Sequence, residues 1–172
     1  MIKTELFTSL NEPRWDKSLP EVEALSQIVV ENCVNFINDK EPQDFFAMNV
    51  PLSFNLCLSN DNEVHALNKE FRRQDKPTNV LSFANIDSPD FFEQVASSSL
   101  IEMGDIIIAL ETMTREAEIK HITLHDHFCH LLTHGVLHLL GYDHIEDKQA
   151  EHMESLEIEI LKQLNINNPY EE

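Results

Sequence analysis

The sequence predicts one domain in which a small β-sheet is covered by helices. Two patterns carry this prediction: strand-like and helix-like segments alternate in the earlier part of the chain, and three helical patterns then follow one another. The chain has 172 residues, with no internal repeat and no segment that resembles a linker. This length is enough to bury a hydrophobic core without cross-links. We therefore treat residues 1–172 as a single domain.

Composition and charge narrow the classes of function. Apolar residues make up 42% and charged residues 25%, as in soluble globular proteins. The formal net charge of -19 excludes nucleic-acid binding through overall positive charge, although a local basic groove stays possible. The longest aliphatic runs, such as Ile106–Leu110, are too short to cross a bilayer, and residues 1–10 do not resemble a secretory signal. Three widely spaced cysteines without a C-x-x-C pair favour reduced thiols, so we expect a cytoplasmic location.

The first elements are a helix and two strands. After a polar N-terminal stretch, Ser18 should cap a helix over about residues 20–39, where apolar residues recur at helical spacing. Phe45–Val50 is then a candidate for a short strand. Leu52–Leu58 is a stronger strand prediction, because apolar and polar residues alternate along it.

The middle of the chain adds a short helix and a third strand. Asn60–Asn62 should form a turn and a helix cap, and Glu63–Phe71 should form a short helix that packs Leu67 and Phe71. The apolar stretch Thr78–Phe83 is predicted to be a strand.

The remaining elements are a loop, a strand and three helices. Residues 85–99 contain a proline and a run of serines, so we predict a mobile loop there. Ile106–Ile108 is a β-branched run and a clear strand prediction. Helical patterns then cover about residues 111–120, 121–140 and 147–164.

The most informative segment is His134–His144, which reads HGVLHLLGYDH. Two histidines four residues apart, His134 and His138, lie on the same face of a helix. Gly141 can end that helix in a left-handed conformation, so that the chain turns back and His144 can reach the same point. Three neutral imidazoles with an open fourth position are typical of a catalytic zinc site. We therefore predict one Zn²⁺ per chain, bound by His134, His138 and His144.

Other histidines and one cysteine lie close to these residues. A ligand set shifted by one turn could include His130, but it would leave Gly141 and His144 without a role. Cys129 should lie roughly 140° around the helix from His134, and we interpret it as a core residue. The other histidines of this region are expected to be solvated or structural, namely His121, His125, His127 and His152.

The same histidine spacing occurs in the zinc-protease motif H-E-x-x-H-x-x-G-x-x-H. In that motif, the glutamate next to the first histidine activates the water on the zinc ion. This chain has Gly135 at that position, so a peptidase of this type would lack its general base. We therefore expect the metal geometry to be shared and the reaction to differ.

The histidine segment resembles the signature of the YbeY family, H-G-x-L-H-L-x-G-Y-D-H. Two further stretches agree with that family. Leu67–Phe83 resembles its segment with an asparagine, an arginine and a T-x-V-L-S-F ending, and Gly104–Ile106 resembles its G-D-I strand. The resemblance extends from about Leu67 to the helix around Met153–Glu157, in the order of the family.

Two positions depart from the family pattern. Asn79 stands where many members have an aspartate, and Phe71 stands where a tyrosine is common. The first departure puts little in doubt, whereas the second could change one edge of the substrate cleft.

The resemblance implies an α+β fold with a four-stranded mixed sheet covered by helices. It places a three-histidine metal site in a cleft at the end of a central helix, with His134, His138 and His144 as metal ligands and Arg72 as the functional arginine. It implies a zinc-dependent endoribonuclease that cleaves single-stranded RNA in the maturation of ribosomal RNA, notably at the 3′ end of the small-subunit RNA, and in ribosome quality control. The implied partners are precursor ribosomal RNA and the small ribosomal subunit or its proteins, with no DNA and no membrane.

The chemistry of phosphodiester cleavage agrees with this set of residues. Zinc lowers the pKa of a bound water from about 15.7 toward 7, and a guanidinium can bind two phosphate oxygens while negative charge develops. Arg72 belongs to a basic cluster that holds four of the twelve basic residues within eight positions: Lys69, Arg72, Arg73 and Lys76. A simpler interpretation is that this cluster is a solvated helix end.

The sequence does not identify a general base. Asp143 and Asp105 could orient an imidazole or serve only the structure, and Tyr142 could be functional or packed. The acidic C-terminal helix is predicted to have a solvated face, or alternatively to bind a basic ribosomal protein, through Glu151, Glu154, Glu157 and Glu159. An alternative function therefore stays open: a ribosome assembly factor that binds metal and has little nuclease activity of its own.

Overall fold

A four-stranded sheet forms the centre of the protein, which was analysed as a computed structural model describing residues 1–171. Its strands are β1 (Thr4–Leu10), β2 (Leu52–Ser59), β3 (Val80–Ala84) and β4 (Ile101–Ala109), in the spatial order β1-β2-β4-β3. β1, β2 and β4 are parallel, and β3 is antiparallel to β4 at one edge. The predicted α+β class and the four-stranded mixed sheet are therefore confirmed.

Helices connect the strands and cover the sheet. The helices within residues 1–171 are α1 (Trp15–Ser18), α2 (Val22–Lys40), α3 (Asp61–Arg72), α4 (Phe91–Ala96), α5 (Leu110–Lys120), α6 (Leu124–Leu139) and α7 (Asp147–Lys162). Short 3₁₀ segments cover Asp44–Met48 and Asn85–Asp87. The predictions for α2, α3, α5, α6 and α7 are confirmed to within a few residues. In this part of the chain, no helix combines the length and the apolar character that crossing a bilayer requires.

The central helix α6 is buried along most of its length, and this burial fixes the position of its last turns. Phe128, Cys129 and Leu132 are fully buried, which confirms Cys129 as a core residue. A Cβ atom at Gly135 would lie 3.0 Å from a methyl carbon of Ile106, so the absence of a side chain allows α6 to approach β4 closely. The residues that follow Gly135 on α6 are therefore held against the sheet.

The first strand lies at a different place from the predicted one. Phe45–Val50, predicted as a strand, mostly forms the 3₁₀ segment Asp44–Met48, in which Phe45 and Phe46 are buried. The polar N-terminal stretch, to which no element was assigned, contains β1, which is paired in parallel with β2. An edge strand has only one neighbour, and most positions of β1 are half-buried or exposed, so its sequence shows no clear hydrophobic alternation.

Two other predictions in this half of the chain are wrong in detail. Ser18 ends α1 and does not cap the next helix, which begins at Val22 after Glu21 in a left-handed conformation. The predicted loop at residues 85–99 contains α4, and two of its apolar side chains, Phe91 and Val95, are buried in the core. These side chains explain why the segment folds despite its proline and serines.

Helix α3 has the predicted cap but a different buried face. The side chain of Asn60 accepts the N–H of Glu63 at 2.9 Å and begins the helix. Val64 and Asn68 are the buried residues of α3, whereas Phe71 is 58% exposed. The prediction that α3 packs Leu67 and Phe71 is met in part, because Leu67 packs against the core, whereas the Phe71 ring contacts Phe83 of β3 on one side and stays open to solvent on the other.

Gly104 marks an irregularity between β2 and β4. The pairing shifts there by one residue, because Ser53 pairs with Glu102 and Phe54 pairs with Gly104. The φ angle of Gly104 is 132°, which side-chain-bearing residues rarely adopt. A Cβ atom would also collide with the carbonyl oxygen of Phe83 on β3.

We expect Gly104→Ala to lower the free energy of unfolding by about 3 kcal/mol or more, because backbone strain and the collision add together. Urea unfolding followed by circular dichroism would measure the change. Gly135→Ala is the comparison variant: its added methyl presses on side-chain atoms of Ile106, which can shift, and alanine favours the helix by about 1 kcal/mol, so we expect a smaller loss. Equal losses in the two variants would contradict the special role of Gly104.

Candidate metal centre

Three histidines converge at the C-terminal end of α6. His134 and His138 project from its last turns, and His144 comes from the loop that follows. One ring nitrogen of each residue lies within 4.8 Å of those of the other two. The structure therefore brings together the three residues predicted to be ligands, and these residues could hold a metal ion.

A glycine turn returns the chain toward the helix. Gly141 has a φ angle of 102°, as predicted for a helix-ending glycine. The N–H of Gly141 donates to the carbonyl oxygen of His138, and the N–H of Tyr142 donates to that of Leu137, both at 3.0 Å. This pair of hydrogen bonds is the Schellman motif, and it directs the following residues toward the face of α6 that carries the histidines.

Hydrogen bonds at the Nδ1 atoms of His134 and His138 determine which nitrogen of these two imidazoles carries the proton. Nδ1 of His138 lies 2.9 Å from the carbonyl oxygen of Tyr142, which can only accept, so this Nδ1 carries a proton. Nδ1 of His134 likewise faces a carboxylate oxygen of Glu157 at 3.2 Å. In the neutral rings, both Nε2 atoms therefore present lone pairs.

These two lone pairs face each other. The Nε2 atoms of His134 and His138 are 3.0 Å apart, and two lone pairs at that distance repel unless a proton or a metal ion lies between them. Burial and the neighbouring imidazoles of His134 and His144 lower the pKa of His138 to about 4, so this ring is neutral at pH 7. Neutral imidazoles with converging lone pairs are the form that binds metal, so the donor set fits a metal ion.

Arg72 lines the same cleft as the three histidines. The cleft has a volume of about 360 Å³ and lies between the edge strand β3 and the loop after α6. Nη2 of Arg72 donates to the carbonyl oxygen of Ser82 at 2.6 Å, and the guanidinium carbon lies 4.9 Å from the ring centroid of Phe83. A guanidinium has five N–H donors, so this anchoring leaves several for a ligand.

The other basic residues of the cluster do not line this cleft. Lys69 lies 4.0 Å from Asp75, whereas Arg72 has no carboxylate partner within residues 1–171. Arg73 ends α3 in a left-handed conformation and is exposed. Among the four basic residues, only Arg72 therefore brings its charge to the histidines.

The acidic residues considered from the sequence have different positions. Asp143 lines the cleft, and its carboxylate accepts the N–H of His144 at 2.7 Å. Asp105 lies on the opposite face of the sheet, away from the histidines. Asp87, which the sequence placed in a loop without a role, lines the cleft from the 3₁₀ segment after β3. The cleft carboxylates are therefore Asp87 and Asp143.

Glu157 was predicted to be on a solvated face, and this prediction is wrong. Glu157 lies on α7 and is only 1% exposed. Its carboxylate is hydrogen-bonded to His130 and His134. Burial raises the pKa of this carboxyl group, but the hydrogen bonds from the two histidines outweigh burial and hold the pKa at about 2. One signal was present in the sequence, since Glu157 lies four residues from both Met153 and Leu161, on the apolar face of the helix.

The remaining histidines of this region lie outside the three-histidine group. His130 is hydrogen-bonded to Glu157 at 2.6 Å, so the ligand set shifted by one turn is not assembled. His127 is buried and hydrogen-bonded to Glu116 at 2.8 Å. The others are exposed, namely His121, His125 and His152. The prediction of solvated or structural roles agrees with these positions.

An aromatic groove lies on the other face of β3. This groove has a volume of about 540 Å³, and the rings of Phe7, Phe71 and Phe83 contribute to its walls. The Phe71 and Phe83 ring centroids are 5.7 Å apart, and Phe7 is 55% exposed. Phe83 also contacts Arg72, so the groove and the histidine cleft meet at this edge of the sheet.

Comparison with known proteins gives the family. The model of the family described as Endoribonuclease YbeY matches residues 14–165. A protein named endoribonuclease YbeY from Paramagnetospirillum magneticum is 37% identical over 174 residues, covering 99% of this chain and 98% of the relative. One of the same name from Sphingopyxis alaskensis is 50% identical over 115 residues, covering 66% of this chain and 68% of the relative.

A solved structure agrees at the level of the fold. A Thermotoga maritima protein determined in solution superimposes with a TM-score of 0.54 at 21% identity, covering 98% of this chain and 100% of that protein. This similarity concerns the fold alone. Because the family model covers residues 14–165, His134–His144 included, and a relative 37% identical spans 99% of the sequence, the chain belongs to the Endoribonuclease YbeY family.

Proposed function

We propose that this protein is a zinc-dependent endoribonuclease that cleaves single-stranded RNA, with one Zn²⁺ bound by His134, His138 and His144. The observation that carries the proposal is that Arg72 and the three histidines line one cleft. This arrangement combines a site for a metal ion with a permanent positive charge. Membership of a family whose relatives are named endoribonuclease supports the reaction class. We propose that residues 1–172 act as one hydrolase domain.

The three imidazoles hold the metal ion in this proposal. Nε2 is the available donor of His134 and His138, because Nδ1 of each ring donates a proton to an oxygen. Three nitrogen donors favour zinc among the common metal ions of proteins. A bound zinc ion supplies Lewis acidity, which lowers the pKa of a coordinated water and withdraws charge from a phosphate oxygen.

Arg72 binds the scissile phosphate in this proposal. Negative charge increases on the phosphate oxygens during cleavage, and neutral imidazoles cannot offset it. The guanidinium is held by Ser82 and Phe83 and can donate two parallel hydrogen bonds to the phosphate. Asp87 and Asp143 are the two carboxylates that line the cleft, and they are therefore its candidates for a general base.

The aromatic groove supports a preference for single strands. Unpaired bases can stack on aromatic rings, whereas the base faces of a duplex are already stacked on each other. Phe83, with Phe71 packed on it, lies where the groove meets the cleft, and Phe7 on β1 lines the far side of the groove. A strand whose bases enter this groove can therefore pass over the edge of β3 near Arg72 and bring its backbone to the histidines.

The family suggests a cellular role for this reaction. We infer that the substrate is precursor ribosomal RNA in the cytoplasm, cleaved at the 3′ end of the small-subunit RNA and in ribosome quality control. The small ribosomal subunit or its proteins would then be the partner, and neither DNA nor a membrane is required. The net charge of -19 supports selective binding, because most of the surface repels RNA and Arg72 attracts it locally.

Cleavage of a labelled single-stranded RNA by the zinc-loaded protein tests this proposal. We expect the wild type to cut the single strand at least about 100-fold faster than the same sequence in a duplex, because the duplex cannot stack its bases on the aromatic groove. His138→Ala, purified identically, should cut neither RNA, since it lacks one of the three ligands.

The controls separate the alternatives. Equal cutting by wild type and His138→Ala would indicate a contaminating ribonuclease. An absence of cutting by the well-folded, zinc-loaded wild type would contradict the nuclease proposal and favour the metal-binding assembly factor. Digestion of an unstructured peptide by the zinc form would instead favour a peptidase.

A further inference from the structure

We propose that Glu157 is a positioning residue for the metal centre. Its buried carboxylate accepts the Nδ1–H of His134 and thereby holds that imidazole with the Nε2 lone pair directed at the site formed with His138 and His144. This inference rests on the proposed metal site and not on RNA cleavage. It adds a residue of α7 to a site whose ligands come from α6 and the loop after it.

The contacts of Glu157 join three parts of the chain. Oε2 lies 3.2 Å from Nδ1 of His134, and Oε1 lies 2.6 Å from Nε2 of His130. The hydroxyl group of Tyr170, from the segment after α7, donates to Oε1 at 2.9 Å. Residues of α6 and of the C-terminal segment therefore hold the carboxylate in place, and Glu157 is only 1% exposed.

The three hydrogen bonds to the side chain of Glu157 require a group that acts only as a hydrogen-bond acceptor. Three donors converge on Glu157, and a carboxylate can accept all of them through its two oxygens. A protonated acid or an amide would turn one of its own donors toward a donor of His130, His134 or Tyr170. The carboxylate also fixes the His134 tautomer, because a proton on Nδ1 leaves Nε2 free to bind a metal ion.

The charge of Glu157 points to a cation nearby. Burying a carboxylate is costly unless hydrogen bonds and an opposite charge offset the loss of water. His130, His134 and Tyr170 supply hydrogen bonds to this buried carboxylate, which keeps its negative charge. A divalent ion on the Nε2 side of His134 would balance this charge, which is the carboxylate–histidine–metal arrangement found in metal sites.

A purely structural role for Glu157 predicts a different result. In that case, Glu157 would connect α6, α7 and the C-terminal segment, and its loss would lower stability without changing metal affinity. The positioning role predicts that the affinity for zinc and the tautomer of His134 both change. Both quantities can be measured without RNA.

The first test is the affinity for zinc, measured by competition with a chromogenic chelator at fixed pH. We expect Glu157→Gln to raise the Kd for zinc by about 10- to 100-fold, because glutamine keeps the shape but cannot accept three donors. Glu151→Gln is the matched control, since it removes the same charge from an exposed position on the same helix. Its Kd should stay within about 2-fold of the wild type, because an exposed charge is screened by water and salt.

The outcomes are distinguishable. If the wild type binds one zinc and Glu157→Gln binds it equally tightly, the positioning role is wrong while the metal site stands. If the wild type binds no zinc, the metal site is wrong and the inference fails with it. Urea unfolding of the zinc-free variants shows separately how much stability each substitution removes.

A second test needs no variant and covers the case in which Glu157→Gln does not fold. Nitrogen-15 NMR of the zinc-free wild type reports which imidazole nitrogen carries the proton. We expect His134 to be protonated at Nδ1, opposite Glu157. A His134 ring protonated mainly at Nε2 would overturn the proposal, because that tautomer cannot present Nε2 to a metal ion.

Discussion

His144→Ala should remove both stoichiometric zinc and RNA cleavage while leaving the fold unchanged. His144 is exposed in the loop after Gly141, so its truncation takes nothing from the hydrophobic core. Its imidazole is the third member of the group that could hold the metal, and two nitrogens bind zinc much more weakly than three. We expect zinc affinity to fall by more than the roughly 100-fold that loss of a supporting hydrogen bond costs.

Metal analysis and thermal unfolding measure this effect independently of RNA. Zinc at 100 times its Kd should stabilise the wild type by about 2.7 kcal/mol and raise its Tm, whereas His144→Ala should show no comparable rise. His125→Ala is the matched control, since His125 is an exposed histidine of the same region that lies outside the cleft. One zinc per chain retained by His144→Ala after desalting would show that His144 is not a ligand.

The convergence of the three histidines could be predicted because its geometry is local. His134 and His138 lie one turn apart on a single helix, and Gly141 ends that helix in a conformation that glycine adopts readily. The loop to His144 is only a few residues long. These short-range constraints do not depend on what surrounds the helix, so the sequence alone was sufficient to predict that the three histidines converge.

The supporting residues could not be predicted in the same way, because they depend on packing between distant segments. Glu157 contacts His134 only because α7 packs against α6, and its glutamate neighbours on α7 suggested a solvated face. Asp87 reaches the cleft because its 3₁₀ segment directly follows β3, which pairs with the distant strand β4. For both residues, the decisive information is the tertiary arrangement.

The sheet shows the same division between local and distant information. β2 and β4 have strong hydrophobic patterns, and both were predicted. β1 is an edge strand whose parallel pairing with β2 joins segments far apart in the sequence, and its own residues carry little signal. The predicted number of strands was therefore right, although one of them was assigned to Phe45–Val50.

Arg72→Ala should lower RNA cleavage by about 100- to 1,000-fold without changing zinc content. This is the range observed when one preorganised donor to a developing negative charge is removed. Arg72 lies at the exposed end of α3 and contacts Ser82 and Phe83, so its truncation should change the free energy of unfolding by less than about 1 kcal/mol. Single-turnover cleavage by the zinc-loaded variants separates turnover from RNA affinity.

Two further variants decide how the charge of Arg72 acts. Arg72→Lys keeps the charge but loses the planar pair of donors, so it should recover only part of the rate if the phosphate is held by two hydrogen bonds. Arg73→Ala removes the same charge from the adjacent residue, which does not line the cleft, and should change the rate by less than about 3-fold at physiological salt. If Arg73→Ala and Arg72→Ala were equally slow, the basic cluster would act as a diffuse attractive surface. Unchanged kinetics in Arg72→Ala would remove the arginine from the mechanism, leaving the metal ion to offset the charge on the phosphate.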